Sequence, residues 1–183
     1  MKKGAIGYLI NLVILLTLAM TACMAHANAQ NSTQAAYTDP FAYCAAVGTI
    51  DKPDSHYMGT PVPVVIIQGF QKAAGLENNG EPMEILQKST IWRCMNNSVY
   101  VCNFGANLPC DSKADTDKNP TQAMQDFCNA NPAAEYIPMS VTGHATIFSW
   151  GCVNDTPKLL AQNEQVDAAG YIAQIWYKLP PNP

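Results

Sequence analysis

Charge is scarce in this chain, and positive charge is scarcer still. Of 183 residues only 13% are charged, with 10 Lys or Arg against 14 Asp or Glu. No Lys/Arg cluster stands anywhere in the sequence, which argues against nucleic acid as a partner and against electrostatic docking on anionic lipid. Histidine is rare, at three residues, and no Gly-x-Ser-x-Gly, His-Glu-x-x-His or paired-carboxylate cluster accompanies any of them. Cys-x-x-Cys is absent, and with it the arrangement in which one sulfur attacks and its neighbour resolves. The close cysteine pairs of structural zinc sites and the Cys-x-x-Cys-His of haem attachment are missing too. No metal and no cofactor is therefore expected.

What the chain does have is seven cysteines in a telling arrangement. Lys2 and Lys3 precede an apolar run from Ala5 to Met20, and small residues then lead to Ala29. That is the form of a secretory signal peptide over residues 1–29. Two processing routes compete. Ala27-Asn28-Ala29 offers small residues at the −3 and −1 positions of a peptidase site, whereas Met20-Thr21-Ala22-Cys23 resembles the lipobox of bacterial lipoproteins, in which Cys23 is acylated. The other six, Cys44, Cys94, Cys102, Cys110, Cys128 and Cys152, are an even set in the exported body and read as three disulfides in an oxidising compartment. Periplasmic or extracellular residence is expected, or an outer-membrane lipoprotein if Cys23 is the anchor.

A body of about 150 residues is long enough for its own hydrophobic core. Residues 30–38 are polar and aperiodic and read as a flexible leader. One cysteine-rich α+β domain is expected over 40–179, with an antiparallel sheet of about five strands and two or three short helices. Asp39-Pro40 opens a first helix that Gly48 stops, with Cys44 facing inward. Val64 to Ala74 carries Ile67, Phe70 and Ala74 at helical spacing. Thr90 to Gly105 reads as a β-hairpin turning at Asn96-Asn97. Asn119-Pro120 repeats the cap-plus-proline opening before Ala123, Met124, Phe127 and Cys128. Strands His144–Val153, Leu159–Val166 and Tyr171–Leu179 are expected to form a closing meander. Trp92, Phe70, Phe127, Trp150 and Trp176 are the expected core aromatics.

The hairpin constrains the sulfur pairing. A two-residue turn sets Cys94 opposite Val99 and Cys102 opposite Ile91, which sends the two thiols to opposite faces and disfavours a bond between them. Among the remaining pairings Cys110–Cys128 is preferred, because it would tie a long loop to the helix it feeds. The hairpin also has an echo. Trp92-Arg93-Cys94-Met95-Asn96-Asn97 aligns with Trp150-Gly151-Cys152-Val153-Asn154-Asp155, sharing the Trp, the Cys and the first Asn, with a Thr-Ile pair directly before the first and two residues before the second. An old duplication of a hairpin is one reading; the reading adopted is that so short a match is what aromatic, β-branched and cysteine residues give in a sheet that closes on an Asn-rich turn.

Asp115-Thr116-Asp117-Lys118-Asn119, with Asp126 further on, has the opening of a calcium loop. Pro120 stands where its sharp turn needs glycine, and a solvated loop is the reading adopted. Several segments, among them Tyr43-Cys44-Ala45-Ala46-Val47-Gly48, Trp92-Arg93-Cys94-Met95, Gly105-Ala106-Asn107-Leu108-Pro109-Cys110 and Val141-Thr142-Gly143-His144-Ala145-Thr146, resemble a family of small cysteine-rich exported bacterial proteins. The resemblance implies export and a shared disulfide-bonded domain, and brings no activity to any residue. With no clustered acid, base and nucleophile, a non-enzymatic module is expected, binding a protein or saccharide in the cell envelope, with the membrane as a partner only if Cys23 is acylated. The alternatives are a hydrolase using His144 with a carboxylate such as Asp115 or Asp117, and a structural envelope lipoprotein.

Overall fold

The structure, a computed structural model, describes residues 35–77, 80–105 and 108–181, which belong to one compact unit beginning at Ala35. The apolar N-terminal segment, Cys23, the Ala27–Ala29 site and the leader up to Gln34 lie outside the described residues. The fold mixes helices with five strands in two antiparallel sheets, cross-linked by three disulfides. In chain order the elements are α1 (Pro40–Val47), α2 (Val64–Ala73), α3 (Met83–Ser89), β1 (Thr90–Met95) and β2 (Ser98–Asn103). Then come α4 (Gln122–Ala130), α5 (Met139–Thr142), β3 (Phe148–Val153), β4 (Thr156–Gln162), a 3-10 turn at Ala173–Ile175 and β5 (Tyr177–Lys178).

Local chemistry explains most of these boundaries. Asp39 caps α1 by accepting the Phe41 N–H at 2.9 Å, and Gly48 ends it at φ 80°. Helix α2 buries Ile66, Ile67 and Phe70 on one face. Helix α3 was not expected from the sequence: it has no side-chain cap and buries only Leu86, so its period is faint. Helix α4 begins two residues later than Asn119-Pro120 suggests. Thr121 Oγ1 accepts the Met124 N–H, while Asn119 is turned toward Asp117, whose Oδ1 accepts its backbone N–H at 2.9 Å and its side-chain N–H at 2.7 Å.

The β1–β2 register sets Cys94 opposite Val99 and Cys102 opposite Ile91, as a two-residue turn requires. Asn96 and Asn97 both have positive φ, at 51° and 60°. The thiols therefore leave on opposite faces: Cys94 bonds Cys44 of α1, and Cys102 bonds Cys110 in the following loop. The expected Cys110–Cys128 bond is not formed. Cys128 faces the second sheet from α4 and bonds Cys152 of β3.

The C-terminal meander also differs. Strand β3 starts at Phe148 rather than His144, because residues 145–147 are taken up by Asp115, whose N–H donates to Ala145 O (2.7 Å) and whose carbonyl accepts from Ile147 N (3.1 Å). Strand β4 spans Thr156–Gln162, since its ladder begins directly after the two-residue turn. The expected third strand is reduced to Tyr177–Lys178, which pairs with β2 and not with β4. The five strands thus divide into β1-β2-β5 and β3-β4. Trp92, Phe70, Trp150 and Trp176 are buried, and Phe127 is half-buried at the edge of the second core.

Candidate interaction surface

The echo between the two Trp-x-Cys segments extends well beyond six residues. In each case a helix precedes a hairpin and is bonded to its first strand by the cysteine, Cys44 to Cys94 and Cys128 to Cys152. In each the helix ends with an N–H donated to that cysteine's carbonyl, from Gly48 at 3.0 Å and from Asn131 at 3.2 Å. Six residues after the helix cysteine the chain pairs with the strand cysteine: Ile50 exchanges both bonds with Cys94, and Ala134 O accepts the Cys152 N–H at 2.8 Å. Both hairpins turn on two residues of positive φ, Asn96-Asn97 and Asn154-Asp155. Both turns are also tied to their helix: Asn97 Nδ2 donates to Ala45 O at 2.9 Å, and Gln125 Nε2 donates to Asp155 O at 2.7 Å.

In both hairpins the Trp and Cys side chains face inward, which leaves the middle residue, Arg93 or Gly151, on the outer face. The two outer faces have opposite fates. Over the first lies the chain itself. The turn at Asp167–Gly170 and the segment up to Trp176 cover Arg93, whose guanidinium is fully buried, pairs with the Asp167 carboxylate, and lies 4.3 Å from the ring centroids of both Tyr171 and Trp176. Asp167 Oδ1 also accepts the Ala169 and Tyr171 N–H groups at 2.8 and 3.1 Å, which fixes its loop. Lys113 closes the margin, 3.9 Å from the Tyr171 ring and bonded to Asp51 and Ala169 O, each at 2.6 Å.

Over the second outer face the chain lays only the backbone of residues 134–137 at Gly151, with no aromatic clasp. Residues 134–137 run so close to β3 that a Cβ on Gly151 would come within 2.4 Å of Glu135 O, so glycine is required there. Beside this backbone lies a trough of about 330 Å³ with Tyr136, Val153 and Leu160 on its walls. A second depression of about 160 Å³ adjoins it through Tyr136, with Met139 on its margin and Trp150, Ser149 and Glu164 in its lining. Tyr136, Met139, Val153 and Leu160 are all exposed, Tyr136 by 68%. Four large apolar side chains around two joined depressions make a contiguous patch rather than scattered surface residues. Strand β4 borders the patch as the outer strand of its sheet, with no further strand on its free edge among the described residues.

The residues singled out from sequence are placed elsewhere. His144 is exposed just after Gly143, and no carboxylate lies within ion-pair reach of it among the described residues. Asp115 and Asp117 turn their carboxylates onto the backbone two residues ahead, Asp115 to Asp117 N and Asp117 to Asn119 N, both at 2.9 Å. Asp126 takes the Gln122 amide at 2.8 Å, so the calcium-like spacing is used by Asx turns and a helix. The histidine that does meet a carboxylate is His56, whose Nδ1 lies 2.8 Å from Asp54 Oδ1. Asp54 also receives the His56 backbone N–H and the Tyr43 hydroxyl. The backbone bond from His56 comes first in holding its carboxyl below the usual range, ahead of the two side-chain bonds. This network anchors a loop to α1 through the buried Tyr43, whose own pKa burial raises.

Sequence reading passed over Tyr136, Leu160 and Gly151. The available signal was the one position where the two echoes differ in kind, Arg93 against Gly151. Comparison with protein-family models, with curated proteins and with solved structures finds no match. The functional reading rests on the geometry.

Proposed function

We propose that this chain is an exported, non-enzymatic binding module that docks a protein partner on the outer face of the β3–β4 hairpin. Three disulfides support export to an oxidising compartment. No helix among the described residues is long and apolar enough to cross a membrane, and attachment to one belongs to an acylated Cys23. The observation that carries the reading is the contrast between the two outer faces. The first is sealed by the aromatic rings of Tyr171 and Trp176 from the same chain, whereas its counterpart, with only the Glu135 backbone laid over Gly151, presents Tyr136, Met139, Val153 and Leu160 exposed. A partner supplying apolar or aromatic side chains would complete it as residues 167–176 complete the first. A protein is favoured over a saccharide because four apolar side chains dominate the rim.

The test is a Tyr136→Ala/Leu160→Asp double variant. These are surface positions, so its thermal midpoint should stay within a few degrees of the parent. In quantitative capture from envelope extract, the protein retained by the parent should be lost by the variant. Equal retention by a folded variant would overturn the assignment of this face.

A further inference from the structure

The free edge of β4 carries a more specific reading, which rests on the partner face proposed above. The alternation of a two-residue hairpin decides which backbone groups point outward. In the first unit Cys94, Val99 and Val101 turn theirs away from the hairpin: Cys94 exchanges bonds with Ile50, and Val99 O accepts the Leu179 N–H at 2.9 Å. Strand β5 thereby extends the sheet, with Val101 opposite Tyr177 and Tyr100 opposite Lys178. Counted from the turn, the equivalents of Val99 and Val101 in the second unit are Pro157 and Leu159. The same alternation turns their backbone outward, as it does for Cys152 and Trp150, which bond Ala134 and Ile137 on the other edge. No backbone bond from another segment reaches Pro157 or Leu159 among the described residues.

A proline on an edge strand ordinarily discourages pairing. Here it removes nothing that β5 uses in the first unit, where Val99 contributes its carbonyl and its N–H makes no bond to Leu179. Pro157 keeps that carbonyl, and Leu159 offers both an N–H and a carbonyl. The side chains differ in cover accordingly. Val101 is fully buried opposite Tyr177, which packs edge-on against Phe70 with 5.5 Å between ring centroids, whereas Leu159 is only half-buried. On the outer face Lys158 is exposed, two residues from the exposed Leu160, and has no ion-pair partner among the described residues.

We infer that the partner adds an extended segment antiparallel to β4, in the place that β5 takes on β2. Read from its N-terminus, the segment carries an aromatic residue over Leu160, an apolar one opposite Leu159, an acidic one opposite Lys158 and an apolar one opposite Pro157. Alternate residues then face the two sides of the sheet, and the carboxylate meets the unpaired ammonium. The test is an NMR titration of the full disulfide-bonded chain with the peptide acetyl-Ser-Trp-Val-Glu-Val-Thr-amide, up to about 1 mM. The Leu159 amide should shift on binding and its hydrogen exchange should slow. N-methylation of the first valine removes the N–H aimed at Leu159 O and should weaken binding about tenfold. N-methylation of the glutamate, whose N–H points away from β4, should leave the affinity within about twofold. Replacing that glutamate by lysine should weaken binding about fivefold, and Lys158→Glu should restore it. An unmoved Leu159 amide, or equal weakening by both N-methyl groups, would overturn strand addition. Sedimentation should show a monomer; a dimer abolished by Leu159→Pro would assign the edge to a second copy and overturn the inference as well. Envelope capture with Tyr136→Ala/Leu160→Asp tests the face separately. Lost capture beside indifference to N-methylation keeps the face and removes the strand, and the converse pattern keeps the strand and removes the face.

Discussion

The two hairpin units share a plan and differ in what was added to it. The first receives α2 and α3 between its paired residue Ile50 and β1, and β5 on the free edge of β2. The second has only the four-residue α5 in the corresponding gap, and its outer strand gains no neighbour among the described residues. The consequence shows in the tryptophans. Trp92 Nε1 donates to Pro61 O at 2.7 Å, an acceptor supplied by the inserted segment, whereas the buried Trp150 Nε1 has no partner among the described residues. It shows again on the outer faces, where one arginine is enclosed by an aromatic clasp and one glycine lies under the Glu135 carbonyl with exposed apolar side chains around it. A frame used twice tolerates this because the bridge, the cap and the turn fix each unit locally. The outer face is then free to be spent on stability in one copy and exposed in the other.

Breaking the clasp should have the largest effect. Asp167→Ala leaves the Arg93 guanidinium buried without its counter-charge, and a loss of about 3–5 kcal/mol is expected in denaturant unfolding. An Arg93→Met/Asp167→Ala double variant should recover part of that loss, since neither charge then remains to be solvated. On the open face Lys158→Ala should change stability by no more than about 0.5 kcal/mol. Equal losses from Asp167→Ala and Lys158→Ala would erase the distinction between the sealed and open faces.

Removing each unit's bridge by paired Cys→Ala substitution compares the frames directly. Cys44–Cys94 closes a separation of 50 residues and Cys128–Cys152 one of 24. Chain entropy alone gives losses of about 4 and about 3.5 kcal/mol respectively. A larger loss from the shorter loop would show that the second unit, with fewer added elements around it, leans harder on its sulfur bond.

The smallest effect distinguishes the two cores by pH. Tyr43 and Tyr57 are buried in the first, and burial raises the pKa of both, while the second core has no tyrosine among its buried residues. A raised folded-state pKa leaves stability intact below the unfolded value near 10. Stability then falls as pH climbs from there toward the folded value, because the unfolded chain loses the proton first. Denaturation curves should weaken above about pH 10 in the parent. Tyr57→Phe should flatten that decline, and it also removes a hydroxyl that finds no partner. An equally steep decline in Tyr57→Phe would remove Tyr57 from the account.

Much of the local structure was legible because its causes are local. Asp39-Pro40 with Gly48 fixed α1, the Asn96-Asn97 turn fixed the hairpin register, and that register separated Cys94 from Cys102. Boundaries went astray where a distant segment competed. Asp115 took the backbone of residues 145–147 from the expected strand, and Asp117 took Asn119 from its helix. The candidate surface was illegible for the same reason. Nothing local in Tyr136 or Leu160 says that they stand together, and nothing in Gly151 says that residues 134–137 press against it.

The sequence by itself determined the α+β class, an even set of body cysteines, the first helix and the first hairpin with its register. Each follows from dihedral preference, side-chain period or compartment chemistry within a few residues. Only the tertiary structure decided which cysteines pair, that Tyr177–Lys178 joins the first sheet, and that one hairpin face is closed and its twin open. Those outcomes depend on which surfaces meet across the chain. The Arg93–Asp167 contact joins residues 74 apart, and its energy exists only once packing has excluded water from it.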